Sequence, residues 1–382
     1  MKMYKADKDD DLYYYFNAKK EKRWLYRYRY YDAFGKRREK SKQGFKKENE
    51  AYRALLEVKT SVLNGDIKEV ENENLTISEW LDIWYETNKN QWEISTCENR
   101  KLIIETIIKP LLGKIKLTKL DKVTYKRLFI NELLKEYSPG SVAQYHATFK
   151  ISINAAVDSE ILRRNRFNKI IIPQPKKESE NFYTASELRE FLEAFKRYEN
   201  ITNYTMVELL AFTGMRRGEA MGLKWSDVDF EGLTISINRT RDANGIRSPK
   251  TKNSYRTIKV IGELITQLKV YRKWCKELMI SFGKHLSEDD FIFINKSTTK
   301  PISHTVIRYA IDRVTKKENL KRITVHGLRH THATILISKR IPVKVISDRL
   351  GNTPEMVLNT YGHSFKELEE ESVEAFADAL AL

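Results

Sequence analysis

Residues 326–334 read HGLRHTHAT, with three histidines and one arginine inside seven positions. His326 and His330 stand four apart, the spacing that turns two imidazoles to one helix face for a zinc ion. His326 and Arg329 stand three apart, which instead aims an imidazole and a guanidinium at one anion. Zinc also needs a third ligand and a nearby carboxylate base. Here Gly327 follows His326, no acid lies within the motif, and no thiol is near. Metal is therefore not expected, and phosphate is the reading that the rest of the chain must support.

Three other stretches carry suitable side chains. TGMRRGEAMGLKWSDVDF (213–230) follows an apolar helix, and Gly214 supplies a tight turn before a new helix near Arg217-Gly218-Glu219. That puts Arg216 at a helix N-terminus, where free N–H groups and the helix dipole favour an anion. SPKTKNSYRTI (248–258) is a lysine-studded hairpin turn holding Lys250 and Lys252. In LGNTPEMVLNTYGH (350–363), Thr353-Pro354-Glu355 starts a short helix with Tyr361 towards its far end.

Composition limits what these residues can act on. The 382-residue chain is 41% apolar and carries a net charge of +17, with a pI of about 9.5. Such a surplus points to a polyanion, either nucleic acid or an acidic membrane surface. No apolar run reaches the roughly 18 residues of a membrane span, and MKMYKADKDDD lacks a signal-peptide core, so a cytoplasmic location without membrane partners is expected. Cys97 and Cys275 stand alone, which leaves neither a disulfide framework nor a CxxC metal site.

The elements that position the chemistry fall into three segments. Residues 1–66, with 18 Lys+Arg against 11 Asp+Glu, look like a three-stranded sheet plus a helix. The breaks fall at Asn17-Ala18-Lys19-Lys20 and Phe34-Gly35-Lys36. In RWLYRYRYY, alternation puts Arg23, Leu25, Arg27 and Arg29 on one face and Trp24, Tyr26, Tyr28 and Tyr30 on the other. One face packs on the helix KKENEAYRALLEVKTSVLNG, and the other meets solvent or phosphate. After a linker at 67–74, residues 75–170 read as a helical bundle. Its helices open at Thr76-Ile77-Ser78-Glu79, cover Lys101 to Ile108 and Leu117 to Leu134, and run from Ser138-Pro139-Gly140-Ser141 through Ala156. IIIPQPKKESENFYT is a second linker. Residues 180–382 are mixed α/β: helices interrupted by the strand-like runs 233–240 and 255–260. The expected fold is thus multidomain and mainly α with small β elements. The tail FKELEEESVEAFADALAL (365–382) reads as an amphipathic helix with Val373, Phe376 and Leu380 on one side.

The order Arg216, Lys250, His326-x-x-Arg329 and Tyr361 resembles that of the tyrosine recombinase (phage integrase) family, and the three boxes match it in internal spacing. The resemblance implies an arm-type DNA-binding domain at 1–66, using Arg23, Arg27 and Arg29, a helical core-binding domain at 75–170 and a catalytic domain at 180–382. It implies a site-specific recombinase that cuts and rejoins DNA through a 3′-phosphotyrosine, needing neither cofactor, metal nor ATP. Tyr361 is then the nucleophile and Arg216 and Arg329 the phosphate clamps. Lys250 is the general acid, with Lys252 competing for that role, and His326 assists proton transfer and holds phosphate. Glu219 fits an acidic position that orients its neighbours. The family usually has His or Trp where this chain has Asn352, and His363 lies two residues past Tyr361. A carboxamide can still donate to phosphate, so Asn352 is expected to take that part. Implied partners are double-stranded DNA at core and arm sites, three further copies in a homotetramer on DNA, and excision and host DNA-bending factors. A type IB topoisomerase and a catalytically impaired DNA-binding regulator are the alternatives.

Overall fold

The computed structural model describes residues 2–31, 36–63, 74–173, 181–248 and 252–366, without the side chains of residues 252 and 362–366. The chain divides into two compact units, Met1–Lys177 and Glu178–Leu382.

The first unit begins with an antiparallel sheet in sequence order, β1 (Met3–Ala6), β2 (Asp9–Phe16), β3 (Lys22–Tyr31) and β4 (Arg37–Phe45), followed by α1 (Glu48–Leu63). The expected three strands are therefore four. The extra strand pairs Met3 with Tyr15 and Tyr4 with Tyr14. Its four residues are too few to display an alternation, so only its pairing partner defines it. The turn at Asn17 forms as expected, its side chain accepting from the N–H groups of Lys19 and Glu21. Most of the second break lies outside the described residues. Alternation in β3 holds on the aromatic side, where Trp24, Tyr26 and Tyr28 gather with Leu12, Ala51 and Leu55 under α1, whereas Leu25 on the arginine face is also buried and the pairing with β4 is irregular beside it. At about 25 cal/mol per Å² of buried apolar surface, this packing fixes the register, since a slip of one residue would bury the arginines instead. On the other face Arg23 pairs with Glu21 at 2.7 Å, and Arg27 and Arg29 share Glu39 at 3.1 Å each.

The helical part of this unit starts with α2 (Ile77–Asn88), whose capping box joins Thr76 and Glu79 as expected. The next helix, α3 (Ile94–Ile103), begins the helical run that covers Lys101 to Ile108 as expected and ends just past Pro110. A π turn at Ile104–Ile108 leads into α4 (Lys109–Leu112), with Pro110 in its first turn. Proline lacks an N–H and its ring crowds the carbonyl four residues back, and the wider turn relieves both problems. The third helical stretch starts after Leu117, because Asp121 caps α5 (Lys122–Tyr125) by accepting from Val123 and Thr124. A second π turn and α6 (Asn131–Glu136) follow, and then α7 (Pro139–Asp158) behind its cap Ser138. Trp80, Trp84, Tyr125, Phe129 and Phe149 centre the core. Residues 67–73 and 174–180, within the expected linkers, lie outside the described residues.

The second unit is built on α9 (Ile201–Thr213), which follows α8 (Ala185–Tyr198) and is buried along most of its surface. Then come α10 (Arg217–Gly222) and the strands β5 (Val228–Asp229), β6 (Thr234–Ile237), β7 (Thr240–Asp242), β8 (Gly245–Arg247) and β9 (Arg256–Lys259). The two expected strand runs pair as β6 and β9 in a sheet of order β5-β6-β9, and Asn244-Gly245 turns the β7–β8 hairpin. Around them pack α11 (Gly262–Ser281), α12 (Val306–Lys317), α13 (Val325–Ser338), α14 (Val343–Leu350) and α15 (Pro354–Lys366). The amphipathic tail beyond Lys366 lies outside the described residues. Among those described, no helix is long and apolar enough to cross a membrane.

Candidate active site

Two glycines prepare the site. Both α9 and α14 end on a left-handed residue, Gly214 and Gly351, each with φ of +65°. A Cβ on Gly214 would lie 2.7 Å from the His332 ring and 2.8 Å from a Leu350 methyl, so a side chain there fails on space as well as on backbone conformation. The two helix ends leave carbonyls without helical partners, at the negative pole of each helix. Arg329 of α13 reaches both. Its Nη1 donates to Gly214 O and its Nη2 to Leu350 O, each at 2.8 Å. Only 3% of Arg329 is exposed. Burial lowers its pKa to about 10, helped by Arg216 and opposed by Glu219 and Tyr361, so it stays charged at neutral pH.

Arg216 stands before the first turn of α10, as its sequence context predicts. Its guanidinium donates to Glu219 at 2.8 Å, to Asn352 Oδ1 at 2.6 Å and to Gly351 O at 3.3 Å. Glu219 also accepts from the Arg216 backbone N–H and from Arg256 Nη2, both at 2.9 Å. Burial alone raises a carboxyl pKa, but here the bonds from Arg256 and Arg216 win and hold Glu219 below its ordinary value. Behind this pair, Arg349 Nε donates to His332 Nε2 at 2.9 Å, and His332 Nδ1 donates to Ala211 O at 2.9 Å. An arginine only donates, which fixes the tautomer of His332. Burial first, then Arg349, takes its pKa down to about 4, so the ring is neutral. Arg216 and Arg256 bond to Glu219, Arg329 lies within reach of its charge and Arg349 stands beside Arg256, so four guanidiniums gather against one bonded carboxylate among the described residues, a local surplus of three positive charges. Such a site calls for an anion.

Tyr361 comes to this cluster on α15, with 4% of its surface exposed. Its hydroxyl makes a 3.0 Å hydrogen bond with His330 Nδ1, and the two rings meet edge to face with centroids 5.4 Å apart. His330 is in turn edge to face with His326 at 4.8 Å. Burial, with further contributions from His330, Arg329 and Arg216, lowers His326 to about 4. Burial raises the Tyr361 phenol despite Arg329 and Arg216 nearby, so the hydroxyl keeps its proton at neutral pH.

Of the residues singled out in the sequence, Arg216, His326, Arg329, Asn352 and Tyr361 meet here. Lys250 and the side chains of Lys252 and His363 lie outside the described residues. Arg23, Arg27 and Arg29 belong to the other unit. Sequence reasoning missed Arg256, His330, His332 and Arg349. His330 carried a signal, four residues from His326 on the same helix face, but that spacing suggested zinc. Arg349, next to Leu350-Gly351, and Arg256, on a strand 37 residues from Glu219, carried none.

Comparison with known proteins gives matches along most of the chain. Residues 13–62 match an Arm DNA-binding domain, 76–134 a phage integrase N-terminal SAM-like domain and 181–367 the Phage integrase family. A XerC-like tyrosine recombinase of Caldanaerobacter subterraneus subsp. tengcongensis is 31% identical over 60% of this chain, which spans 63% of that relative. The ICEBs1 integrase of Bacillus subtilis is 27% identical over 74% of this chain and 77% of its own length. The Tn1549 transposon integrase, solved in complex with transposon right end DNA, superposes with a TM-score of 0.66 at 20% identity, covering 79% of this chain and 99% of that one.

Proposed function

Because the chain belongs to the phage integrase family of tyrosine recombinases, we propose that it integrates and excises a mobile element. It does so by cutting and rejoining double-stranded DNA through a 3′-phosphotyrosine ester, without metal or ATP. Residues 1–66 bind arm sites through the Arg23, Arg27 and Arg29 face, residues 75–170 grip the core, and residues 180–382 carry the chemistry. The working form is a homotetramer on DNA, assisted by excision and host DNA-bending factors, in the cytoplasm.

The observation that carries this reading is the buried Tyr361 phenol beside a cluster with a surplus of three positive charges. Attack of the Tyr361 oxygen on phosphorus puts extra negative charge on the non-bridging oxygens. Arg329 spends two of its five N–H donors on the helix ends, and the remaining donors suit a phosphate. Arg216 and Asn352 form the second side of the clamp, and neutral His326 donates to the same phosphate and assists proton transfer. The departing 5′ oxygen takes a proton from Lys250 or Lys252. A preset cradle of donors in a dry site is the usual main source of rate in such reactions.

A nicked duplex carrying the element's own junction tests the proposal. The wild-type chain should be trapped on it as a covalent adduct. Tyr361→Phe should bind the same DNA without forming one, and an adduct in that variant would assign the nucleophile elsewhere.

A further inference from the structure

We propose that His330 is a catalytic residue, the direct proton acceptor for Tyr361. The inference rests on Tyr361 being the nucleophile and adds the group that activates it. A phenol with an ordinary pKa near 10 is ionised in only about one molecule in a thousand at pH 7, and burial here makes that form scarcer. A base in contact with the hydroxyl is therefore worth a large factor.

His330 is the side chain that meets the reacting atom, with Nδ1 3.0 Å from the Tyr361 oxygen. Its place is held from both sides. Tyr361 packs against its ring, and His326, one turn earlier on α13, packs against it edge to face. His326 is less suited to the task, because its ring meets that of His330 and makes no hydrogen bond to the Tyr361 hydroxyl among the described residues. It serves better as a neutral donor to phosphate and as a wall that keeps His330 in place. Gly214, Arg329 and Asn352 fix where the phosphate sits, and His330 fixes where the nucleophile sits.

The Tyr361 hydroxyl donates to Nδ1 of the Nε2–H tautomer of His330. As the oxygen forms its bond to phosphorus, the O–H bond breaks and an N–H bond forms, leaving an imidazolium. The P–O5′ bond breaks, and the 5′ oxygen takes its proton from the lysine. Religation runs the same transfers backwards, with Nδ1–H returning its proton to the phenol.

The test uses the full chain and two nicked duplexes, one with the ordinary 5′ oxygen and one with bridging sulfur, which leaves without needing a proton. His330→Ala should bind DNA normally and unfold at the wild-type temperature. It should cleave both duplexes about 10²–10⁴-fold more slowly in single turnover, and added imidazole should restore part of the rate. His330→Gln, which keeps a polar contact but cannot hold a proton, should be similarly slow. Lys250→Ala or Lys252→Ala should be slow on oxygen and fast on sulfur, which marks the acid. Wild-type rates in His330→Gln, recovery of His330→Ala on sulfur, or a slow His330→Ala that imidazole leaves unchanged would each overturn the inference. Failure of the wild-type chain to form an adduct with either duplex would instead overturn the recombinase reading beneath it.

Discussion

Arg216 donates to Asn352 through a 2.6 Å bond from Nη2 to Oδ1. Because a guanidinium has no acceptor, the amide oxygen must face it, and the amide Nδ2 is turned away as a donor. Asn352 thus tethers the arginine beside it and, in the proposed site, would fill the corner that an aromatic N–H usually holds. Removing one donor of this kind typically costs about 10²–10³ in rate, and exchanging one donor for another costs less. Asn352→Ala should cleave a nicked duplex clearly more slowly, and Asn352→His should match or exceed the wild type. Equal single-turnover rates for Asn352→Ala and wild type would remove Asn352 from the phosphate site.

Glu219 ties Arg216 to Arg256 from a position that is 4% exposed at its side chain. Glu219→Gln leaves two arginines facing each other without a counter-charge, at a cost of about 3 kcal/mol. The folded carboxyl lies below its ordinary 4.5, so its contribution is complete above that pH and fades as pH falls through the folded value. Melting temperatures from pH 6 to 3 should therefore drop more steeply below 4.5 in the wild type than in Glu219→Gln. Parallel curves would show that the carboxylate contributes no charge-dependent stability.

At Gly351 a Cβ would stand 2.7 Å from Arg256 Nη1 and 3.0 Å from Asn253 O. Gly351→Ala should cost about 1–2 kcal/mol from the left-handed backbone alone, and it should also displace Arg256 and the Asn352 that follows. Cleavage should then fall further than the urea midpoint accounts for. A variant with lowered stability and full activity would uncouple this turn from the site.

On the sheet of the first unit, Glu39 occupies both Arg27 and Arg29. Exposed ion pairs are worth little, so phosphate can compete for these arginines. Glu39→Gln should tighten arm-site binding and steepen its salt dependence. Arg27→Ala with Arg29→Ala should weaken binding and reduce the slope by about one for each phosphate that is no longer neutralised. Titrations at several salt concentrations that gave one slope for all three proteins would take this face out of DNA binding.

What the sequence revealed was local. The Thr76–Glu79 box, the Ser138 cap, the turn at Gly214 and the alternation in β3 each lie within a few residues, and all appear in the fold. Strand β1 was hidden because four residues carry no period. The helix through Pro110 was hidden because a π turn leaves no compositional mark. The site divides in the same way. Arg216, His326, Arg329 and Tyr361 stood out by residue type and order, whereas Arg256, His332 and Arg349 act through bonds spanning 17 to 137 residues. His330 was visible, but its pairing with Tyr361 was not.

Four arginines gathered with one carboxylate among them also shape the protein's behaviour on its own. Like charges held out of water repel, so this part of the catalytic unit is left under electrostatic tension by its own folding. Any phosphodiester that slips in relieves the tension, whatever bases flank it. If the chain acts on DNA as proposed, a sequence-blind attraction should underlie its choice of site and favour sliding along the duplex over repeated release. On the proposed function the substrate would also be a structural component: the unit should be most stable with DNA bound, its excess positive charge answered by the strand.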